Sequence, residues 1–182
     1  MGLLSRKPPL TDGSDCHIYV EETEWEGESE EGDPLLFRGL GILDAEDGST
    51  VSWDEVNESD FARVLHVAGV THHKAALHDP AFNPGSFLLL MREPDNPYDQ
   101  NAVKVFDLSG HHDLGYVPKE EAALMKQWLD VWHSPPLYPQ VLSLIEVISR
   151  GQRVALRILV TKPKVEIGRV DDWETAFGGQ QQ

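Results

Sequence analysis

The run Arg92-Glu93-Pro94-Asp95-Asn96-Pro97-Tyr98-Asp99-Gln100-Asn101-Ala102 gathers side chains suited to holding a ligand rather than transforming one. Pro94 and Pro97 fix the loop, and Asn96 can bond the backbone two residues on. Asp95, Tyr98 and Asp99 are thereby held out with little conformational entropy left to lose on binding. Tyr98 offers a flat face for a nucleobase and a hydroxyl for a phosphate or sugar. An ionised Asp99 only accepts hydrogen bonds, which suits a sugar hydroxyl, a base amino group or a backbone N–H, and it repels phosphate. Asn96 and Asn101 also read as turn-builders, and Asp99 as a cap on the following strand. Tyr116 either fills one end of the core or presents a second stacking face. Lys119 puts a cation at a helix start, where the dipole disfavours it, which points to a role outside the helix.

Catalytic chemistry finds less support. His66, His72, His73, His78, His111, His112 and His133 invite a metal, but the adjacent pairs His72-His73 and His111-His112 would face opposite sides of a strand and lack the spacing of a ligand pair. No metal or other cofactor is expected, zinc being the alternative. G-x-S-x-G, G-x-x-x-x-G-K-[ST] and H-E-x-x-H do not occur, and Cys16 has only His17 beside it. The chain is expected not to be an enzyme.

The elements that must position these residues are mostly strands. Val64–Val70 and Phe87–Arg92 are apolar runs ended by glycine or proline, and Ala102–Phe106 alternates into the turn Asp107-Leu108-Ser109-Gly110 and then Leu114–Val117. Pro118 opens a helix over 119–132, with Ala122, Leu124, Met125, Trp128, Leu129 and Trp132 at spacings of three and four. Val141–Ile148 and Val154–Val160 flank a turn at Arg150-Gly151. The order β-β-β-β-α-β-β predicts a mostly β fold, a small OB- or SH3-like partly open barrel with one helix, over residues 61–163.

Around that domain, residues 1–34 read as an acidic disordered tail, 35–60 as an extension packed on the domain, and 164–182 as a C-terminal tail. Residues 1–60 hold three cations against seventeen acids, whereas 61–162 hold ten of each sign. The net charge of −16 is therefore a property of the first third and does not exclude nucleic acid from the rest. The acidic tract suggests a protein partner, or a tethered polyanion competing with nucleic acid around Lys119, Arg150 and Arg153. No apolar run is long enough for a membrane helix, no secretory signal is read, and a single cysteine fits a cytoplasmic location.

Leu90–Val105, with Gly69-Val70 before it and Leu114-Gly115-Tyr116-Val117-Pro118-Lys119 after it, resembles the signature of the HIRAN domain, a module of fork-remodelling DNA translocases that also occurs as a stand-alone bacterial protein. The resemblance covers roughly Val64 to Lys162. It implies capture of the free 3′ end of single-stranded DNA, with Asp99, Tyr98 and Asn96 at the end and Lys119 at a basic position, in DNA repair or fork handling. Where that family's DNA-end binders carry a basic residue and an aromatic, this chain has Thr71, His72 and His73. An imidazole at His72 would stand in for the aromatic, and the missing cation removes a phosphate contact. The alternatives are a protein-interaction adaptor and, third, a metal-dependent hydrolase.

Overall fold

The computed structural model describes residues 11–73 and 77–170. In chain order they form β1 (His17–Glu28), β2 (Pro34–Leu43), β3 (Thr50–Val51), α1 (Trp53–Glu58), β4 (Ala62–His66), β5 (Phe87–Arg92), β6 (Val103–Asp107), β7 (Asp113–Tyr116), α2 (Lys119–Val131), β8 (Gln140–Ser149), β9 (Gln152–Thr161) and β10 (Glu166–Arg169). From β4 to β9 the order is the one the periodicities predict. The β8–β9 turn places Arg150 at φ 52° and Gly151 at φ 77°, the left-handed pair that a tight two-residue hairpin requires.

These strands join one mixed sheet ordered β10-β1-β2-β8-β5-β6-β7, with β9 beside β8 and β4 beside β9. The expected small barrel is corrected: the sheet is not closed. Its β4 and β7 ends meet only at a bridge outside the ladders, where Ala68 N donates to Tyr116 O at 2.8 Å and Tyr116 N to Ala68 O at 2.9 Å. A Cβ on Gly115, at φ 146°, would collide with the Ala68 carbonyl, so this approach depends on glycine.

The hairpin β8–β9 is buried on both faces. Val141, Leu156, Ile158 and Val160 enter one core with Leu88, Val103, Val105, Leu114 and the α2 residues Met125 and Trp128. Leu142, Leu144, Ile145 and Leu159 enter a second core with Ile18, Val20, Leu40, Ile42, Val56 and Val64. A strand buried on both sides reads as a nearly continuous apolar run, which is how VLSLIEVI and VALRILV appear in the chain.

That second core overturns part of the tail expectation. Residues 17–28 are a strand, paired with β2 in unbroken register from Tyr19↔Leu43 to Glu28↔Pro34. Glutamate is a poor strand former, but the apolar β2 supplies the ladder, Ile18 and Val20 are buried, and Trp25 stacks on Phe37 with centroids 5.0 Å apart. Residues 164–182 are likewise not all tail, because β10 runs parallel to β1. The parts of those expectations that fall on residues 1–10 and 171–182 lie outside the described residues. The helix expectation needs one addition, the short α1, capped by Ser52 accepting from Glu55 N at 3.2 Å. Among the described residues no helix is long and apolar enough to cross a membrane.

Candidate nucleic-acid interface

The β5–β6 loop is closed by its own backbone. Glu93 N donates to Ala102 O at 2.9 Å, Asn96 N to Glu93 O at 3.1 Å and Ala102 N to Asp99 O at 3.1 Å. Asn96 Oδ1 accepts from Tyr98 N at 2.9 Å and Asp99 N at 3.1 Å, and Asp99 Oδ1 accepts from Asn101 N at 2.8 Å. The turn-building reading of Asn96 and the capping reading of Asp99 both have direct counterparts here. Asn96 Oδ1 spends both lone pairs on these two backbone bonds, whereas Asp99 keeps Oδ2 outside its one bond and able to accept from a ligand. The loop leaves Tyr98 91% exposed. At its other end Arg92 pairs with Asp130 of α2 at 2.8 Å, anchoring the loop to the helix.

Beneath the loop lies a polar cluster that the sequence reading missed. Glu93 Oε1 accepts from Asn96 Nδ2 at 3.3 Å, and Glu93 Oε2 accepts from the Tyr116 hydroxyl at 2.9 Å. Lys104 sits between Glu93 at 3.7 Å and Asp113 at 3.5 Å, and His73 Nδ1 lies 3.4 Å from Asp113. Burial opposes the Lys104 ammonium, but the carboxylates of Asp113 and Glu93 outweigh it and raise its pKa. Burial, then the bond to Glu93, raise the pKa of the Tyr116 phenol. Tyr116 thus occupies the outer face of β7 opposite Lys104, whose ammonium lies 5.4 Å from the ring centroid. It belongs to neither core, so its ring is half-exposed rather than filling the interior. The period-two alternation of Lys104 and Phe106 was the available signal for this outer face; the partners on β5 and β7 needed the register.

The remaining residues flank this cluster. Gly69, at φ 83°, turns the chain into a single 3-10 turn, Val70–His72, and leaves His72 exposed. The Ala68–Tyr116 bridge holds that turn beside β7. Lys119 is the exposed first residue of α2 and has no ion-pair partner among the described residues. The fold thus joins Asn96, Tyr98, Asp99 and Tyr116 through Glu93, and sets His72 and Lys119 on the two segments adjoining Tyr116.

Arg153 is not part of a cationic surface near Lys119, which corrects that part of the expectation, whereas Arg150 is exposed and meets an acid of the first 34 residues. Arg153 is 4% exposed and bonds Glu146 at 2.9 Å and Asn83 at 2.8 Å. Arg150 pairs with Asp33 at 3.0 Å. Glu146, itself 2% exposed, also receives Arg38 of β2, so one buried carboxylate ties both regions together. Among the described residues no three His, Cys, Asp or Glu side chains converge as metal ligands.

Comparison with known proteins places a name on part of this arrangement. Residues 61–133 match the family model of the HIRAN domain. Helicase-like transcription factor from Oryctolagus cuniculus is 37% identical over 65 residues, 36% of this chain, and that from Homo sapiens is 31% identical over 85 residues, 46% of it. The chain spans only 6% and 8% of the length of those relatives. Among solved structures, the HIRAN domain of human HLTF aligns with TM-score 0.39 and 22% identity, over 54% of this chain and 74% of that one. A protein from Lactobacillus plantarum aligns with TM-score 0.36 and 23% identity, over 54% and 91%. The matched stretch runs from just before β4 to just after α2, whereas its core is completed by β8 and β9 beyond it. Residues 61–133 of this chain are a HIRAN domain.

Proposed function

We propose that this chain is a non-enzymatic module that binds single-stranded nucleic acid, specifically a DNA 3′ end, in DNA repair or fork handling. The observation that carries the reading is Tyr98, 91% exposed at the tip of a turn whose backbone is already bonded to Asn96. A large aromatic held in water on a pre-ordered loop serves stacking better than stability. The HIRAN match and the likeness to helicase-like transcription factors support the setting.

In this reading a base stacks on Tyr98, Asp99 Oδ2 accepts from the terminal sugar hydroxyl, and Lys119 meets a phosphate of the strand. Asp99 discriminates because a terminal phosphate in place of the hydroxyl would bring like charges together. His72 adds a second flat face beside Tyr116. With Lys104 already neutralised by Glu93 and Asp113, few phosphates are matched, so the salt dependence should be shallow, a slope of ~0.7 per contact for a single strand.

The test is a titration of labelled single strands with free and phosphate-blocked 3′ ends. Tyr98→Ala should weaken both by ~1–3 kcal/mol, and Asp99→Ala should erase the difference between ends more than it lowers affinity. Equal affinity of wild-type protein for both ends removes end recognition.

A protein-interaction adaptor is a second reading with its own observation. Phe87 (48%) and Met91 (47%) stand exposed on the outer face of β5, with Phe106 on the neighbouring β6 and Leu108 (61%) in the turn that follows it. Binding that persists at high salt and ignores Tyr98→Ala would favour it.

A further inference from the structure

Among the described residues, strand β1 is paired on one side only for most of its length. Its inner edge pairs with β2 through Glu28, while on the outer edge β10 reaches no further than Arg169↔Val20. From Glu21 to Glu28 the outward N–H and C=O groups have no strand partner among the described residues. Half of a strand's backbone groups point to each edge, so this is an open template for another extended chain. Proteins blunt such edges with proline, bulges, brevity or charged side chains. β1 is 12 residues long with uninterrupted register against β2, and its one such device is its exposed glutamates, which repel acidic strands and leave a basic one free to pair.

The side chains say which chain would fit. Glu22, Glu24, Glu26 and Glu28 lie on one face at alternate positions, all exposed, roughly 7 Å apart along the strand. Across β2 the partners on that face are Leu40, Arg38, Leu36 and Pro34; Arg38, opposite Glu24, is already bonded to Glu146, and Arg169 lines the same hollow near Glu22 and Glu24. The opposite face is different: after the exposed Glu21 at its start, Thr23 is half-buried and Trp25, 39% exposed, lies flat on Phe37. A second copy of this edge is excluded, because its glutamates would face these.

We propose that the edge of β1 from Glu21 to Glu28 is a docking strand for an extended basic peptide in which Lys or Arg alternates with a small or apolar residue. The added strand takes the outward backbone groups of β1, sets its cations beside the glutamates, and lays its apolar residues against Thr23 and Trp25. The site is separate from the HIRAN loop and does not depend on the nucleic-acid reading.

The probe is the blocked peptide acetyl-Lys-Val-Lys-Thr-Lys-Val-Lys-amide, titrated into the full chain by calorimetry and by amide hydrogen exchange. Saturable binding is expected, with new protection confined to Glu21–Glu28 and affinity falling as salt rises. A peptide of the same composition with its lysines in one block, and one N-methylated at alternate amides, should each bind at least about tenfold more weakly. The double variant Glu26→Lys/Glu28→Lys should lose about tenfold while keeping its melting temperature and its single-strand binding. Two results overturn the proposal: no saturable binding, or equal binding of the alternating, block and N-methylated peptides, which would reduce the glutamates to a diffuse anionic surface.

Discussion

The HIRAN loop displays a tyrosine on a turn bonded to itself across two or three residues, whereas the N-terminal layer displays glutamates on β1, whose partner β2 is tied to the core by Arg38 on the buried Glu146, residues 108 apart in sequence. Both regions rest on the hairpin β8–β9, one on each face. One surface is specified by neighbours in the chain, the other by neighbours in space. The first should therefore tolerate loss of distant contacts that the second cannot survive.

The hardest break of that contrast is Glu146→Ala. It leaves Arg153 buried without its carboxylate and frees Arg38, and removal of one partner from a buried ion pair costs ~3–5 kcal/mol. Urea unfolding followed by tryptophan fluorescence should show this loss. A separate early transition confined to β1–β2 amides would show that the N-terminal layer opens first, and a single transition that both regions unfold together.

Adjacent residues of β9 sharpen the division. Ile158 and Leu159 are both fully buried but face opposite cores. Each change to Ala should cost ~2–5 kcal/mol. In hydrogen exchange, Ile158→Ala should expose α2 amides first and Leu159→Ala those of β1 and β2. Identical exchange patterns would mean that the two cores are one energetic unit.

Tyr98→Ala should behave in the opposite sense, costing ~1–3 kcal/mol in single-strand binding with an unchanged melting temperature. Asn96→Ala should cost ~1 kcal/mol of stability through the two lost backbone bonds, and lower binding more than that because the Tyr98 turn loosens. If Asn96→Ala left binding intact, the pre-ordered loop would not be what Tyr98 depends on.

The smallest effect is alkaline. Lys104 and Tyr116 have folded pKa values raised above their ordinary 10.5 and 10.0, so the fold favours both protonated forms. Their contribution is complete below about pH 10 and declines as pH rises through the raised values. Stability measured with rising pH should fall less steeply in Tyr116→Phe, which has no phenol proton to lose, while acidification to neutrality should leave the cluster unchanged.

Strand order from β4 to β9, the helix after Pro118 and the tyrosine loop were legible in the chain because period-two and period-3.6 segments, prolines and Asx turns are local signals. The glutamate strand was not, because composition alone speaks for a solvated tract and only the long ladder with β2 makes it a strand. Arg153 shows the same limit: a lysine or arginine reads as surface until a buried carboxylate seven residues away across a hairpin is placed beside it. Thus the sequence by itself determined the HIRAN motif, the turn that carries Tyr98 and the charge asymmetry between the first third and the rest. The tertiary structure decided that the sheet stays open, that β8–β9 serves two cores, and that Glu93, Lys104, Asp113 and Tyr116 meet. Those outcomes depend on register and on which faces are covered, and neither quantity exists until the chain has folded.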